Sequence, residues 1–145
     1  MGGVAHPSIL ARPSVRVLIV DDEPNLRHLL SAVLRKQGWE VDVAGSGRAA
    51  IEAARRVRPH LIVLDIVLPD IDGVQVLRTI RGELPDSMVL FLTANGTVAN
   101  RIDGIAAGGD DYVTKPFSVE EVVVRLRGLL RRSPMLAASA PTPVL

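Results

Sequence analysis

The feature that most constrains this fold is an unbroken apolar run that ends on an acid. It lies in residues 60–73, HLIVLDIVLPDIDG, where Leu61 to Leu64 precede Asp65. A strand with one face in water alternates apolar and polar residues, so the unbroken run predicts a strand buried on both faces. Asp65 would then stand at the carboxyl end of a central strand, where open α/β sheets bind their ligands. Taken alone, Asp65 is equally well explained as a residue that caps the following loop.

Strand patterns and helix patterns alternate five times along the chain. The predicted strands are 15–21, 39–43, 61–64, 88–92 and 110–114. Such alternation predicts a parallel sheet with helices on both faces and right-handed crossovers. The second strand alternates apolar residues with Glu40 and Asp42, and the fifth is short and polar, so both are predicted at the edges. The simplest solution is an α/β fold, a doubly wound five-stranded parallel sheet in the order 2-1-3-4-5.

The helices between these strands carry start and stop signals. Pro24 suits the first turn of the first helix, and Gly38 suits its end. Ser118 and Glu121 form an S-x-x-E capping box that opens the last helix. The fourth helix, at about 97–107, contains Gly104, and an interior glycine costs about 1 kcal/mol relative to alanine. We therefore expect the fourth helix to be weakly held.

Length and composition restrict these 145 residues to one domain, predicted over 15–132. Residues 1–14 are predicted as a disordered N-terminal segment, and residues 133–145, which carry no charge and three prolines, as a linker or disordered tail. The 17 bases nearly cancel the 16 acids, so the chain lacks the electrostatic footprint of a nucleic-acid-binding domain. Without cysteines, a signal-peptide pattern or a membrane-spanning apolar run, we expect a cytoplasmic protein.

The order 2-1-3-4-5 brings acids from two neighbouring strands into one crevice. Asp21 and Asp22 follow the first strand and Asp65 follows the third, on either side of the point where the chain reverses direction. Two charges about 4 Å apart repel by roughly 4 kcal/mol at an effective dielectric near 20. Either one carboxylate is protonated or a cation lies among them. Hard carboxylate oxygens beside solvent suit Mg²⁺.

Two further polar residues follow strands at the same edge of the sheet. Thr93 comes after the buried strand 88–92, and Lys115, one of two lysines in the chain, comes after the last strand. A compact ammonium group at that place suits a phosphate oxygen or Asp65. Individually, Thr93 can be a loop hydroxyl and Lys115 a solvated surface charge. Together, four strand ends deliver polar groups to one edge of an apolar sheet, which solubility alone does not explain.

Four segments, in order, resemble a response-regulator receiver domain: VLIVDDEP, LIVLDIVLPDIDG, FLTAN and GGDDYVTKPF. The resemblance implies a flavodoxin-like fold in which Asp65 accepts a phosphoryl group from the phosphohistidine of a sensor histidine kinase. The domain would be a signalling module rather than an enzyme, limited to transfer onto itself and loss of that group. The site implied by the resemblance has Mg²⁺ held by Asp21, Asp22, Asp65 and the backbone carbonyl of Val67, and phosphoryl oxygens held by Thr93 and Lys115.

The resemblance also implies how the phosphoryl group is removed and how it is read. Val67 and Asn95 would flank the path of attacking water, and the Lys115–Pro116 bond would be cis. Thr93 would move toward the phosphoryl group, and Tyr112 would turn into the vacated space and shift helix 97–107.

The matching subfamily has winged-helix DNA-binding output domains and forms homodimers. Its dimer face would comprise helix 97–107, strand 110–114 and helix 118–132. Carrying its charge pairs onto this sequence gives Arg101 with Glu121, Asp111 with Arg125, and Asp110 with Arg132. DNA binding would belong to an output domain that is absent from this chain.

Two other readings compete with a receiver domain. Gly45, Gly47 and Ala50 form G-x-G-x-x-A before a predicted helix, and Asp65 lies 20 residues beyond Gly45, as in dinucleotide-binding proteins. That motif normally follows the first strand of its unit, whereas here it follows an edge strand. The second competitor is a scaffold that retains the site but transfers no phosphoryl group. Phosphorylation by a small phosphodonor would distinguish both from a receiver.

Overall fold

The computed structural model describes residues 14–94 and 98–139. Its strands are β1 Arg16–Val20, β2 Glu40–Ala44, β3 Leu61–Asp65, β4 Met88–Ala94 and β5 Asp111–Lys115. Its helices are α1 Pro24–Arg35, α2 Gly47–Val57, α3 Gly73–Glu83, α4 Val98–Ala106, α5 Val119–Arg131 and α6 Pro134–Ser139. The five predicted alternations of strand and helix are confirmed, and each strand boundary lies within two residues of its predicted position.

The five strands form one parallel sheet in the order β2-β1-β3-β4-β5, as predicted. Val20 pairs with Leu64, so the residues that follow β1 emerge beside Asp65 at the end of β3. Thr93 pairs with Thr114, which places it next to Lys115 in the neighbouring strand. This register brings the polar strand ends to one edge of the sheet, which we call the upper rim.

Two apolar layers cover the sheet and explain the unbroken run in β3. Every residue of β3 is buried. Ile62 and Leu64 face a layer formed with α2 and α3, whereas Leu61 and Val63 face a layer formed with α1 and α5. Because both faces meet helices, neither set of alternating positions is polar.

Helix ends follow the sequence signals, with one difference at the start of α5. Gly38 has a positive φ of 86° after the end of α1, a conformation that glycine adopts without steric cost. The Ser118 side chain accepts a hydrogen bond from the Glu121 N–H, as the capping box predicts. The Glu121 carboxylate, however, accepts a hydrogen bond from Arg125, one turn along the helix, at 3.2 Å. The Arg125 guanidinium thus takes the place of the Ser118 N–H, from which the Glu121 carboxylate would accept in a complete capping box.

The tail predicted as a linker or disordered segment over 133–145 is helical over Pro134–Ser139. Ser133 is buried, and its hydroxyl accepts a hydrogen bond from the Leu136 N–H. Serine before proline is a favourable helix start, so the signal was present in the sequence but was outweighed by the composition of the tail. The predictions for residues 1–13, for Asn95, for Thr97 and for residues 140–145 lie outside the described residues. Within the described ranges, no helix has the length and apolarity needed to cross a membrane.

Candidate functional site

Three carboxylates meet at the upper rim, as the strand order predicts. One oxygen from each of Asp21, Asp22 and Asp65 lies within 4.8 Å of the other two. Asp21 is completely buried and Asp65 is 3% exposed, whereas Asp22 is open to solvent. Negative groups this close repel strongly unless positive charge lies among them.

Lys115 supplies one positive charge to this cluster. Its ammonium nitrogen lies 2.7 Å from Asp65 Oδ2 and 3.7 Å from Asp21 Oδ2. Burial opposes the charge on Lys115, but the hydrogen bond and attraction to Asp65 outweigh it, so the pKa of the lysine is raised. Lys115 is therefore directed into the site, as predicted, and three carboxylates still share a single ammonium group.

The two buried aspartates differ in how their oxygens are satisfied. Asp65 accepts hydrogen bonds at both oxygens, from the Val67 N–H at 2.9 Å and from Lys115 at 2.7 Å. Asp21 accepts one from the Glu23 N–H, but its Oδ2 is buried without a hydrogen-bond partner among the described residues. Burial is the main cause of a raised pKa for Asp21, and repulsion from Asp65 adds to it. Asp21 thus presents an unused buried oxygen to the cluster.

This arrangement fits a hard divalent cation. Carboxylate oxygens are the ligands that Mg²⁺ takes, with water completing its coordination shell. An ion among Asp21, Asp22 and Asp65 would satisfy the orphaned Asp21 oxygen and offset the unbalanced charge. The exposed position of Asp22 leaves one side of the cluster open to water and to a further ligand.

Thr93 and the Lys115–Pro116 bond complete the upper rim. Thr93 is 1% exposed, and its hydroxyl oxygen has no hydrogen-bond partner among the described residues. A buried, unpaired hydroxyl is costly to fold, so it calls for a ligand or a change of position. The Lys115–Pro116 peptide bond is cis, as the resemblance implies.

Sequence reasoning missed the groups that hold these loops. Arg27 donates to the backbone oxygen of Asp21 at 2.7 Å. The Asp70 carboxylate accepts hydrogen bonds from the N–H groups of Gly47 at 2.7 Å and Arg48 at 3.1 Å. Asp70 thereby fills the helix N-terminus at which the dinucleotide reading would put a pyrophosphate. Arginine and loop aspartate are so common that neither role was visible without the strand order and loop geometry.

The chain matches a family model described as the response regulator receiver domain over residues 17–127. It belongs to that family. It is 58% identical over 119 residues to the probable transcriptional regulatory protein TcrX of Mycobacterium tuberculosis, covering 82% of this chain and 51% of TcrX. It is 51% identical over 126 residues to the transcriptional regulatory protein TrcR of the same organism, covering 87% of this chain and 49% of TrcR. This receiver chain thus spans about half the length of these relatives.

Solved receiver structures share the fold. The receiver domain of the Francisella response regulator 1452 superposes with a TM-score of 0.77 at 30% identity, covering 82% of this chain and 98% of that one. The receiver domain of NtrX from Brucella abortus gives a TM-score of 0.76 at 28% identity, covering 81% and 99%. The predicted fold class, a flavodoxin-like (βα)5 domain, is confirmed, as is the predicted family.

The predicted switch residue of this receiver domain lies on β5 beside α4. The Tyr112 hydroxyl accepts a hydrogen bond from Arg101 at 3.1 Å, and the Arg101 guanidinium carbon lies 5.5 Å from the centre of the tyrosine ring. The ring lies 5.8 Å from that of Phe91, centre to centre. Gly104 of α4 packs so closely on Phe91 that a Cβ there would lie 2.3 Å from the ring. Gly104 therefore lets α4 lie directly against the Phe91 ring, while Arg101 of the same helix contacts Tyr112.

Several of the charged residues predicted for the dimer face have partners within this chain. Arg125 pairs with Asp111 at 3.1 Å and with Glu121 at 3.2 Å. Asp110 pairs with Arg81 of α3 at 2.7 Å rather than lying free for Arg132. Ion pairs near the surface contribute little stability, so Arg125 can exchange its partners at little cost. Asp110 also accepts a hydrogen bond from the Val89 N–H, so pairing it with Arg132 would break two interactions.

Proposed function

We propose that this receiver domain accepts a phosphoryl group on Asp65 from the phosphohistidine of a sensor histidine kinase. The observation that carries the proposal is the buried Asp65 carboxylate, held at both oxygens and flanked by Lys115, Asp21 and Asp22. A phosphoryl acceptor needs a positioned nucleophile and positive charge near the transferred oxygens, and little other chemistry from the protein.

Each residue of the site has a part in the transfer. An Asp65 oxygen attacks phosphorus, the new P–O bond forms, and the bond from phosphorus to the imidazole nitrogen breaks with its electron pair leaving on the imidazole. Lys115 would move from Asp65 Oδ2 to a phosphoryl oxygen, and the unpaired Thr93 hydroxyl would donate to another. The phosphoryl group would be lost when water attacks phosphorus and the bond from phosphorus to the Asp65 oxygen breaks, which releases inorganic phosphate and restores the Asp65 carboxylate. Val67 would lie beside the path of this water, whereas the predicted part of Asn95 falls outside the described residues. Both steps are self-catalysed, so the domain acts as a signalling module rather than an enzyme on other molecules.

We propose Mg²⁺ as the cation of the site. Asp21, Asp22, Asp65 and the backbone carbonyl of Val67 would hold it. When bound, the ion supplies positive charge that offsets the negative charge spread over the transferring phosphoryl group. The Asp21 oxygen that lacks a hydrogen-bond partner among the described residues and the close approach of the three carboxylates support this assignment.

Phosphorylation would be read through α4, β5 and α5. Drawing Thr93 toward the phosphoryl group frees space into which Tyr112 would turn, breaking its hydrogen bond to Arg101. Helix α4 carries two exposed apolar residues, Ile102 and Ile105, which support the use of this face as a homodimer contact. The interface charges would be Arg101, Asp110, Asp111, Glu121, Arg125 and Arg132.

The output of this switch would be control of transcription in the cytoplasm. The relatives named transcriptional regulatory proteins are about twice as long as the region they share with this chain. DNA binding would belong to a winged-helix output domain outside residues 15–132.

Phosphorylation of the purified chain tests the acceptor directly. Incubation with acetyl phosphate and Mg²⁺ should add the mass of one phosphate, which should be absent in Asp65→Asn and after chelation of the metal. Asp86→Asn is the matched control because it removes the same charge from an exposed residue at the opposite edge of the sheet. Equal labelling of wild type and Asp65→Asn would move the acceptor elsewhere, and an unlabelled wild type would favour the inactive scaffold. Saturable binding of a nicotinamide dinucleotide would favour the dinucleotide-binding interpretation.

Sizing chromatography tests the dimer face. With beryllofluoride as a phosphate mimic, the wild type should elute as a dimer, whereas Ile102→Lys should stay monomeric. A wild type that remains monomeric at high concentration with the mimic bound would refute this face.

A further inference from the structure

The G-x-G-x-x-A segment, which the proposed phosphotransfer leaves without a role, lies close to the two loops that follow β1 and β3 at the acidic cluster. It joins β2 to α2, at the edge of the sheet next to β1. One loop, after β1, begins with Asp21. The other, between β3 and α3, carries Val67 and Asp70. The N–H groups of the segment bind Asp70 in the second loop. Gly45 lies against the Arg27 side chain, which in turn binds the backbone of Asp21 in the first loop.

The first contact fixes the end of β1. The Asp21 N–H donates to the backbone oxygen of Ala44 at 3.1 Å, and the Asp21 backbone oxygen accepts from Arg27 at 2.7 Å. A Cβ on Gly45 would lie 2.9 Å from the same Arg27 nitrogen. Glycine at this position therefore leaves room for the guanidinium that holds the backbone of Asp21.

The second contact fixes the loop after β3. Asp70 Oδ1 accepts from the N–H groups of Gly47 at 2.7 Å and Ile71 at 2.9 Å, and its Oδ2 accepts from the Arg48 N–H at 3.1 Å. A Cβ on Gly47 would lie 2.9 Å from Val76 and 3.0 Å from Ile71. The hydrogen bond from Gly47, followed by that from Arg48, lowers the pKa of Asp70, so the carboxylate is ionised at neutral pH.

We propose that Gly45–Arg48 is a brace that sets the distance between the two loops that hold the divalent cation, with Arg27 and Asp70 as positioning residues. This inference rests on the proposed cation site. Neither residue contacts the ion's carboxylates. Arg27 would position Asp21 by binding its backbone oxygen. Asp70 would position the backbone carbonyl of Val67, which lies three residues earlier in the same loop. Groups that orient metal ligands in this way commonly change metal affinity about 10-fold to 100-fold when removed.

Titration with Mg²⁺ alone tests the brace. The dissociation constant would be measured by calorimetry, and independently from the rise in Tm that Mg²⁺ produces, which follows from binding to the folded state. Asp70→Asn should weaken Mg²⁺ binding about tenfold. Asp72→Asn is the matched control because it removes the same charge from the same loop, while asparagine still caps α3 through the bond that Asp72 accepts from the Val74 N–H. The control should stay within about twofold of wild type.

The Arg27 side of the brace provides a second test that does not depend on Asp70. Gly45→Ala should displace the guanidinium and weaken Mg²⁺ binding by a similar factor, as should Arg27→Gln. The double variant should be no weaker than Arg27→Gln, because the alanine would then have no guanidinium to displace. A purely structural role would lower Tm without the cation and leave the dissociation constant unchanged.

The possible outcomes separate the brace from the site it supports. Wild type that binds no Mg²⁺ overturns both the proposed cation site and the brace. Wild type that binds, with Asp70→Asn equal to Asp72→Asn, overturns the brace and leaves the proposed function standing. If the losses of Mg²⁺ affinity in Gly45→Ala and Arg27→Gln add up in the double variant, Gly45 does not act through Arg27, and that part of the brace is overturned.

Discussion

The two ends of the strands, the upper rim and the lower rim, differ in whether their buried polar groups have hydrogen-bond partners. At the lower rim, where the strands begin, His60 Nδ1 accepts from the Arg16 N–H at 3.1 Å, and the Ser87 hydroxyl donates to the Pro59 carbonyl at 2.7 Å. At the upper rim, Asp21 Oδ2 and the Thr93 hydroxyl are buried without a hydrogen-bond partner in the described part of the chain. The lower rim is built for stability, whereas the upper rim leaves unpaired the groups that a ligand can use.

At the lower rim, one arginine side chain binds several backbone carbonyls at once. The Arg81 guanidinium of α3 donates to the carbonyls of Pro85, Ser87 and Gly108 at 2.6–3.2 Å. It also pairs with Asp110 at 2.7 Å. One side chain thus ties the start of β4 to the loop before β5.

The largest effect is expected from removing the Arg81 guanidinium. Arg81→Met should lower the free energy of unfolding by about 3 kcal/mol, since several carbonyls and a half-buried carboxylate lose their donor. Chemical denaturation with urea would measure it. Arg78→Met on the exposed face of the same helix is the control and should change stability by less than about 0.5 kcal/mol. Equal effects of the two substitutions would show that the Arg81 contacts contribute nothing.

A matched pair of buried hydroxyls compares the rims more directly. Ser87→Ala should cost about 1 to 2 kcal/mol because the Pro59 carbonyl is left buried and unpaired. Thr93→Val replaces an unpaired hydroxyl with a methyl group of the same shape and should cost nothing or stabilise slightly. Denaturation of both variants would give the difference. If Thr93→Val proved as costly as Ser87→Ala, the Thr93 hydroxyl would have a partner after all.

A stabilising substitution is expected at the acidic cluster. Asp21→Asn should raise the free energy of unfolding by about 1 kcal/mol in a chelator, because it removes a buried charge that repels Asp65 while asparagine can still accept from the Glu23 N–H. The same variant should lose the gain in Tm that Mg²⁺ gives to wild type. Thermal unfolding with and without the ion measures both effects. A variant less stable than wild type in chelator would indicate that the Asp21 charge is already compensated.

The residues of the upper rim could be predicted from the sequence, whereas those of the lower rim could not. The unbroken run before Asp65 and the alternation in the second strand were enough to order the sheet, and the order placed Asp21 beside Asp65. The confirmed contact of Lys115 with Asp65 followed from the strand ends alone. These predictions succeed because burial imposes a period on the sequence that can be read directly.

The supporting contacts could not be predicted in the same way. Asp70, Arg27 and Arg81 bind backbone groups, and a backbone donor or acceptor carries no side-chain signature in the sequence. The resemblance assigns Asp110 to a dimer interface, whereas its partner in the structure is Arg81, one of fifteen arginines, which no sequence pattern distinguishes. The helix Pro134–Ser139 was missed because composition outweighed a local capping signal.

The smallest effect on stability is expected from protonation of His60, at the lower rim. Burial, followed by the charge of Arg16, lowers the pKa of His60 from its usual value of 6.5. The unfolded chain therefore takes up a proton at a higher pH than the folded one, so stability is complete above about pH 6.5 and is lost as the pH falls toward the folded-state pKa. Urea denaturation between pH 7.5 and 5.5 measures the slope. His60→Asn keeps an acceptor for the Arg16 N–H but cannot titrate, so its stability should change less over this range. Parallel slopes for the two proteins would mean that His60 is not protonated differently in the folded and unfolded states, and that the lower rim owes its stability to hydrogen bonds independent of pH.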